Sequence, residues 1–185
     1  MAIVRWELLF DDLQARLTAE ESLELAAEVA DRTRRERAQL GLQERLAAAR
    51  HTGQVTVRVA GLGVISGAVI DVGADWVLLA PRGEGRVLAP FAALRAIAGL
   101  DGRLAPSGAV VKGFTFGAAL RAVSRDRAPV TLVDIDGQRV TGTIDAVGQD
   151  ALDLAEHPLE LPRRPQHVRA VSTIPFAAVG GVLRG

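Results

Sequence analysis

The chain repeats itself. The segment VTVRVAGLGVISGAVIDVGADWVLLA, Val55 to Ala80, returns without a gap as VTLVDIDGQRVTGTIDAVGQDALDLA, Val130 to Ala155, at an offset of 75 positions. Val55-Thr56, Gly67, Val72-Gly73, Asp75 and Leu79-Ala80 recur as Val130-Thr131, Gly142, Val147-Gly148, Asp150 and Leu154-Ala155. Further on, PFAAL at Pro90–Leu94 reappears as PFAAV at Pro175–Val179, now at an offset of 85. The second copy therefore carries an insertion of 10 residues, placed by the matches within HPLELPRRPQHVRAVS, roughly residues 156–172.

Each copy reads as β structure: short runs rich in Val and Ile, divided by glycines at hairpin spacing. A short helical pattern precedes each one, LQERLAAAR before the first and FGAALRAVSRDR before the second. A unit is then a helix, a meander of strands, a one-turn PFAA element and a last strand. The organisation expected is a helical arm over 1–41, a first unit over 42–100, a Gly- and Pro-containing linker over 101–115, and a second unit over 116–185. In the arm, Thr18 and Glu21 have the spacing of a capping box, which predicts a helix from about Thr18 to Leu40. Its face of Leu23, Ala26, Ala27 and Ala30 is thin. Upstream, Trp6, Leu8, Leu9, Phe10, Leu13 and Leu17 form the densest group of large apolar side chains, and Trp6, Leu9, Phe10 and Leu13 are the expected docking residues of the arm.

Helix first, then bent strands with a Gly-to-Asp motif (Gly67 to Asp75, Gly142 to Asp150), each unit resembles the Sm-like barrel of the Sm, LSm and Hfq proteins. The resemblance implies an α+β chain in which the arm precedes two tandem five-stranded small β-barrels. Other five-stranded barrels, such as the C-terminal domain of biotin protein ligases, share a similar pattern. The position that holds an RNA-binding Asn in eukaryotic Sm proteins is Leu79 in one copy and Leu154 in the other. Taken whole, the chain also resembles a group of actinobacterial conserved proteins through RWELLFDDL, AEVADRTRRE and GTIDAVGQDALDLAEHP. Some of that group carry the label of Fis-type transcriptional regulators, yet the helix-turn-helix such a label requires is not legible here.

Chemistry is sparse. There is no cysteine, which removes disulfides, thiolate metal sites and a thiol nucleophile. GLGVISG, Gly61–Gly67, lacks the strand-to-helix setting of a dinucleotide loop. His157 and His167 stand among prolines without ligand spacing and read as part of a solvated loop. Asp75 and Asp150 read as turn residues, because an active site is seldom needed in every copy of a repeat. Trp76, replaced by Ala151 in the second copy, reads as a core or inter-barrel contact. The expectation is no catalytic activity, no metal and no small-molecule cofactor.

Basic and acidic residues balance at 22 each, so the whole-molecule field gives no general attraction for a polyanion. Local groups of arginine must carry any such role: Arg32, Arg34, Arg35 and Arg37 on the arm, Arg121, Arg125 and Arg127 before the second barrel, and Arg163, Arg164 and Arg169 in the insertion. Interleaved acids and an aromatic content of 4% favour solvated faces and leave few stacking platforms for single-stranded nucleic acid. Two functions remain: a protein-interaction adaptor, with a protein partner or self-association, and an RNA-associated regulator. The absence of a long apolar run and the acids of MAIVRWELLFDDL predict a cytoplasmic protein without membrane contact.

Overall fold

The structure, a computed structural model, describes Gln14, Arg16, Thr18, Ser22 and residues 24–34, 41–50, 53–83, 85–100 and 113–184. The chain forms two compact units, Met1–Leu40 and Gly41–Gly185. In the first, residues 24–34 are helical, as are Gln14, Arg16, Thr18 and Ser22. Thr18 is no N-cap: its hydroxyl donates to the carbonyl of Gln14 at 2.8 Å, the back-bond of a threonine inside a helix. The alanines of the expected buried stripe, Ala26, Ala27 and Ala30, are exposed, as are Leu25 and Val29. Trp6, Leu9, Phe10 and Leu13 lie outside the described residues.

The second unit begins with helix α1 (Leu42–Ala49), followed by β1 (Gln54–Val59), β2 (Gly63–Val72), β3 (Trp76–Pro81), β4 (Arg86–Pro90), a single 3-10 turn over Phe91–Ala93 and β5 (Leu94–Ala98). The same series recurs as α2 (Phe116–Arg125), β6 (Val130–Asp134), β7 (Arg139–Val147), β8 (Ala151–Glu156), β9 (Ala170–Pro175), a 3-10 turn over Phe176–Ala178 and β10 (Val179–Arg184). In β1 strict alternation buries Val55, Val57 and Val59 while Gln54, Thr56 and Arg58 face out. The repeat extends to backbone irregularities. Register shifts at Ile70 in β2 and at Asp145 in β7, and Gly67 faces Pro81 as Gly142 faces Glu156. A Cβ on Gly67 or Gly142 would sit 2.0 Å from the carbonyl oxygen of Ala80 or Ala155, so glycine is what lets the bent strand pair there.

Two separately closed barrels are not what the strands make. All ten pair in one open antiparallel sheet in the order β5-β1-β2-β3-β4-β10-β6-β7-β8-β9. Each repeat keeps the same internal order, with its last strand beside its first, but β4 is joined to β10 of the other repeat: Leu88 faces Val182, Val87 faces Leu183 and Arg86 faces Arg184. Burial follows this join. Val87, Leu88, Ala89, Val179 and Val182 are buried along it, and Leu88, with Trp76 of β3, belongs to the second core together with Phe116, Leu120, Leu132, Ile144 and Leu154. The first core holds Leu46, Val55, Val57, Val77, Leu79 and Val87. Each fully buried aliphatic side chain of this kind contributes about 1.5–3 kcal/mol, so the first repeat supplies part of the stability of the second.

Candidate functional site

At the join, the start of α2 is stitched to the β2–β3 turn of the first repeat. The carbonyl of Phe114 accepts from the Ala74 amide and from Trp76 Nε1, both at 2.9 Å. The Asp75 carboxylate accepts the Phe116 amide at 2.6 Å, one of the amide hydrogens that the first turn of a helix leaves unsatisfied. Thr115, the N-cap, accepts from Ala118. Asp75 is therefore an inter-repeat tether, beyond the local turn residue its sequence suggests, and Trp76 is the contact between repeats that its sequence suggests.

Beside these contacts lies a partly open cavity of about 710 Å³. Trp76 and Leu78 of β3, Leu88 of β4, Ala119, Ala122 and Val123 of α2, and Val130 and Val182 line it with apolar surface. Arg86, Arg121, Arg125 and Arg184 stand around it, with Asp71 as its acidic member. Of the arginines singled out in the sequence, Arg121 and Arg125 thus reach the cavity. Arg86 and Arg184 come to it only through the β4–β10 pairing, which no local pattern announces.

Arginines at the cavity and beyond it are engaged by protein acceptors, Arg184 by the Asp126 carboxylate at 2.6 Å. Arg163 makes two 2.5 Å hydrogen bonds to the carboxylate of Asp145, and Arg127 approaches the same carboxylate at 3.6 Å. The hydrogen bonds and charge of Asp145 hold the Arg163 guanidinium above its ordinary range. Arg169 faces a smaller cavity of about 450 Å³ that also holds Glu156 and Glu160. Arg121 donates to the Gly148 carbonyl at 2.8 Å, in the way that Gln43 of α1 holds the equivalent Gly73 carbonyl. Arg34 pairs with Asp31 on the arm helix, which also carries Arg32, and Arg164 lies in the loop between β8 and β9. Arg35 and Arg37 lie outside the described residues.

The loop holding the insertion is not wholly solvated. His157 is buried, with Nε2 at 2.8 Å from the Thr143 hydroxyl and Nδ1 at 2.8 Å from the Pro158 carbonyl. A carbonyl only accepts, so Nδ1 carries the proton, and in the neutral ring Nε2 accepts from Thr143. Both ring nitrogens are occupied structurally. His167 Nδ1 contacts the Pro162 carbonyl, and no group of three metal-binding side chains forms among the described residues. Leu79 and Leu154 are core residues.

Among the described residues no helix is long and apolar enough to cross a membrane. Compared with known protein families, with curated proteins and with solved structures, the chain finds no match.

Proposed function

We propose that this chain is a non-enzymatic, cytoplasmic interaction adaptor built from two Sm-like units, and that the junction cavity is where it holds a partner protein. One observation carries the reading: an apolar cavity of about 710 Å³ is flanked by four arginines and one aspartate at the join of the repeats. Its chemistry fits a peptide segment with apolar side chains on one face and carboxylates beside them. The apolar face would supply binding energy by leaving water, and the arginines would orient the acids in forked hydrogen bonds.

An RNA ligand is the second reading, favoured by the same arginines. Against it stand the pairing of Arg163 and Arg127 with Asp145 and the burial of Leu79 and Leu154, which leaves no polar side chain at the Sm base-reading position.

A photoreactive side chain in place of Ala122, on the α2 wall of the cavity, separates the two. After irradiation in native cytoplasm, half the sample is treated with nuclease before crosslinked species are identified. The adaptor reading expects a discrete protein adduct that survives nuclease and falls about tenfold with the double substitution Arg86→Glu, Arg121→Glu, the size of losing about 1.4 kcal/mol. An adduct that consists of RNA, or a protein adduct lost on nuclease treatment, would overturn it.

A further inference from the structure

One sequence motif still has no role, the apolar cluster at the start of the arm. Trp6–Leu13, WELLFDDL, combines five large apolar residues with three acids, Glu7, Asp11 and Asp12, and no base. No other stretch of eight residues in the chain has that content. Its chemistry is the complement of the junction cavity. We propose that residues 6–13 of a second copy of this chain are the segment the cavity holds, an inference that rests on the reading of the cavity as a peptide site.

Spacing and charge both support the match. Trp6, Leu9, Phe10 and Leu13 follow the i, i+3, i+4, i+7 spacing of one helical face. At about 100° per residue, Glu7 and Asp11 fall along one flank of that face and Asp12 along the other. The arginines of the cavity also come in two pairs, Arg121 and Arg125 one turn apart on α2, and Arg86 facing Arg184 across the β4–β10 pairing. A helix laid with its apolar face on Trp76, Leu88 and Val123 has a carboxylate for each pair.

The cavity is left with charge to satisfy. Arg121 holds the Gly148 carbonyl and Arg184 the Asp126 carboxylate. Arg86, by contrast, bonds only the carbonyl of its neighbour Gly85, and Arg125 has no side-chain bond among the described residues. One guanidinium of each pair is therefore open to a ligand. Asp71, the acid of the cavity, lies 3.6 Å from Arg50, which offsets its charge. Phe114, also on the cavity, is 61% exposed and lacks apolar cover. A volume of about 710 Å³ lies within the range of sites that enclose a small ligand, roughly 300–1,000 Å³, and takes a few large side chains while the acids stay beside the arginines.

The arm itself points to a second copy. In its described part Leu25 is 65% and Val29 58% exposed, and Ala26, Ala27 and Ala30 are exposed as well. That part buries no apolar side chain in its own chain, as expected of a segment whose cover comes from another molecule. Each copy then offers a segment and receives one, reciprocally in a pair or head to tail in a longer assembly.

The test uses the purified full chain. One copy carries a photoreactive residue at Ala122, the other an affinity tag that changes its mass. Irradiation is expected to give a covalent dimer whose crosslink maps to residues 6–13 of the tagged copy. Asp11→Arg with Asp12→Arg in the tagged copy, or Arg86→Glu with Arg125→Glu in the photoreactive copy, should each lower the yield about tenfold, the size of losing roughly 1.4 kcal/mol. Combining the two restores it, because the reversed charges then meet. Light scattering needs no photoreactive residue: the native chain should exceed the 19.5 kDa of one copy as concentration rises, and Trp6→Ala with Phe10→Ala should return it to that mass. A crosslink confined to a single chain, or to another part of the tagged copy, overturns the proposal, as does a native mass of one copy at every concentration. If the purified chain gives no such dimer while irradiated cytoplasm yields an adduct with a different protein, the cavity is still a peptide site and only this occupant fails. An RNA adduct removes both.

Discussion

Gly61 shows how much one residue of the repeat carries. It has φ +73°, and a Cβ there would lie 1.7 Å from the carbonyl oxygen of Asp134, in the other repeat. Both the left-handed backbone and the close approach exclude a side chain. Gly61→Ala is expected to cost about 2–4 kcal/mol, read as a lower urea midpoint at unchanged slope. In the sequence the same glycine belongs to GLGVISG and reads only as a turn, because what it touches lies more than 70 positions away. Leu79 and Leu154 are the opposite case: they stand in apolar β runs, and both are in the core. An apolar pattern reports burial directly, whereas a contact with a distant carbonyl leaves no local trace. His157 is hidden for the same reason, since the prolines around it spell a loop while Thr143, its partner, sits in β7.

At the scale of elements, both short helices, the PFAA turns and the β character of each copy were legible, because each rests on contacts within a few residues. The partner of β4 was not. Any strand edge offers the same backbone groups, and the choice of β10 follows from the packing of Trp76 and Leu88 into the second core. The four-arginine flank of the cavity was therefore only half visible, with Arg86 and Arg184 gathered by that choice. The two aspartates make the difference measurable. Asp75→Ala removes an acceptor from the first turn of α2 and should lower stability by about 1 kcal/mol, whereas Asp150→Ala, with no side-chain hydrogen bond to lose among the described residues, should leave stability unchanged. Chemical denaturation of the two variants compares them directly. Equal losses would remove the tether.

For the whole 41–185 unit, the consequence of a shared sheet is cooperativity. Had each repeat closed on itself, each would own its core, and the chain would unfold in two steps under one linker. Instead β4 pairs with β10, the second core contains Trp76 and Leu88 of the first repeat, and Gly61 touches Asp134. Opening either repeat strips apolar cover and sheet hydrogen bonds from the other, so neither has a stable state alone. A single transition is expected, with calorimetric and van't Hoff enthalpies equal. Trp76→Ala gives the sharper form of the test. The residue lies on β3 of the first repeat yet packs in the core of the second, and its removal should cost about 3–5 kcal/mol. Amide exchange should then speed up together in β1 of the first repeat and β7 of the second, by the same factor, since both exchange through one global opening. Faster exchange confined to β7 would mean that the second repeat opens by itself, and that the join is a contact between two independent domains.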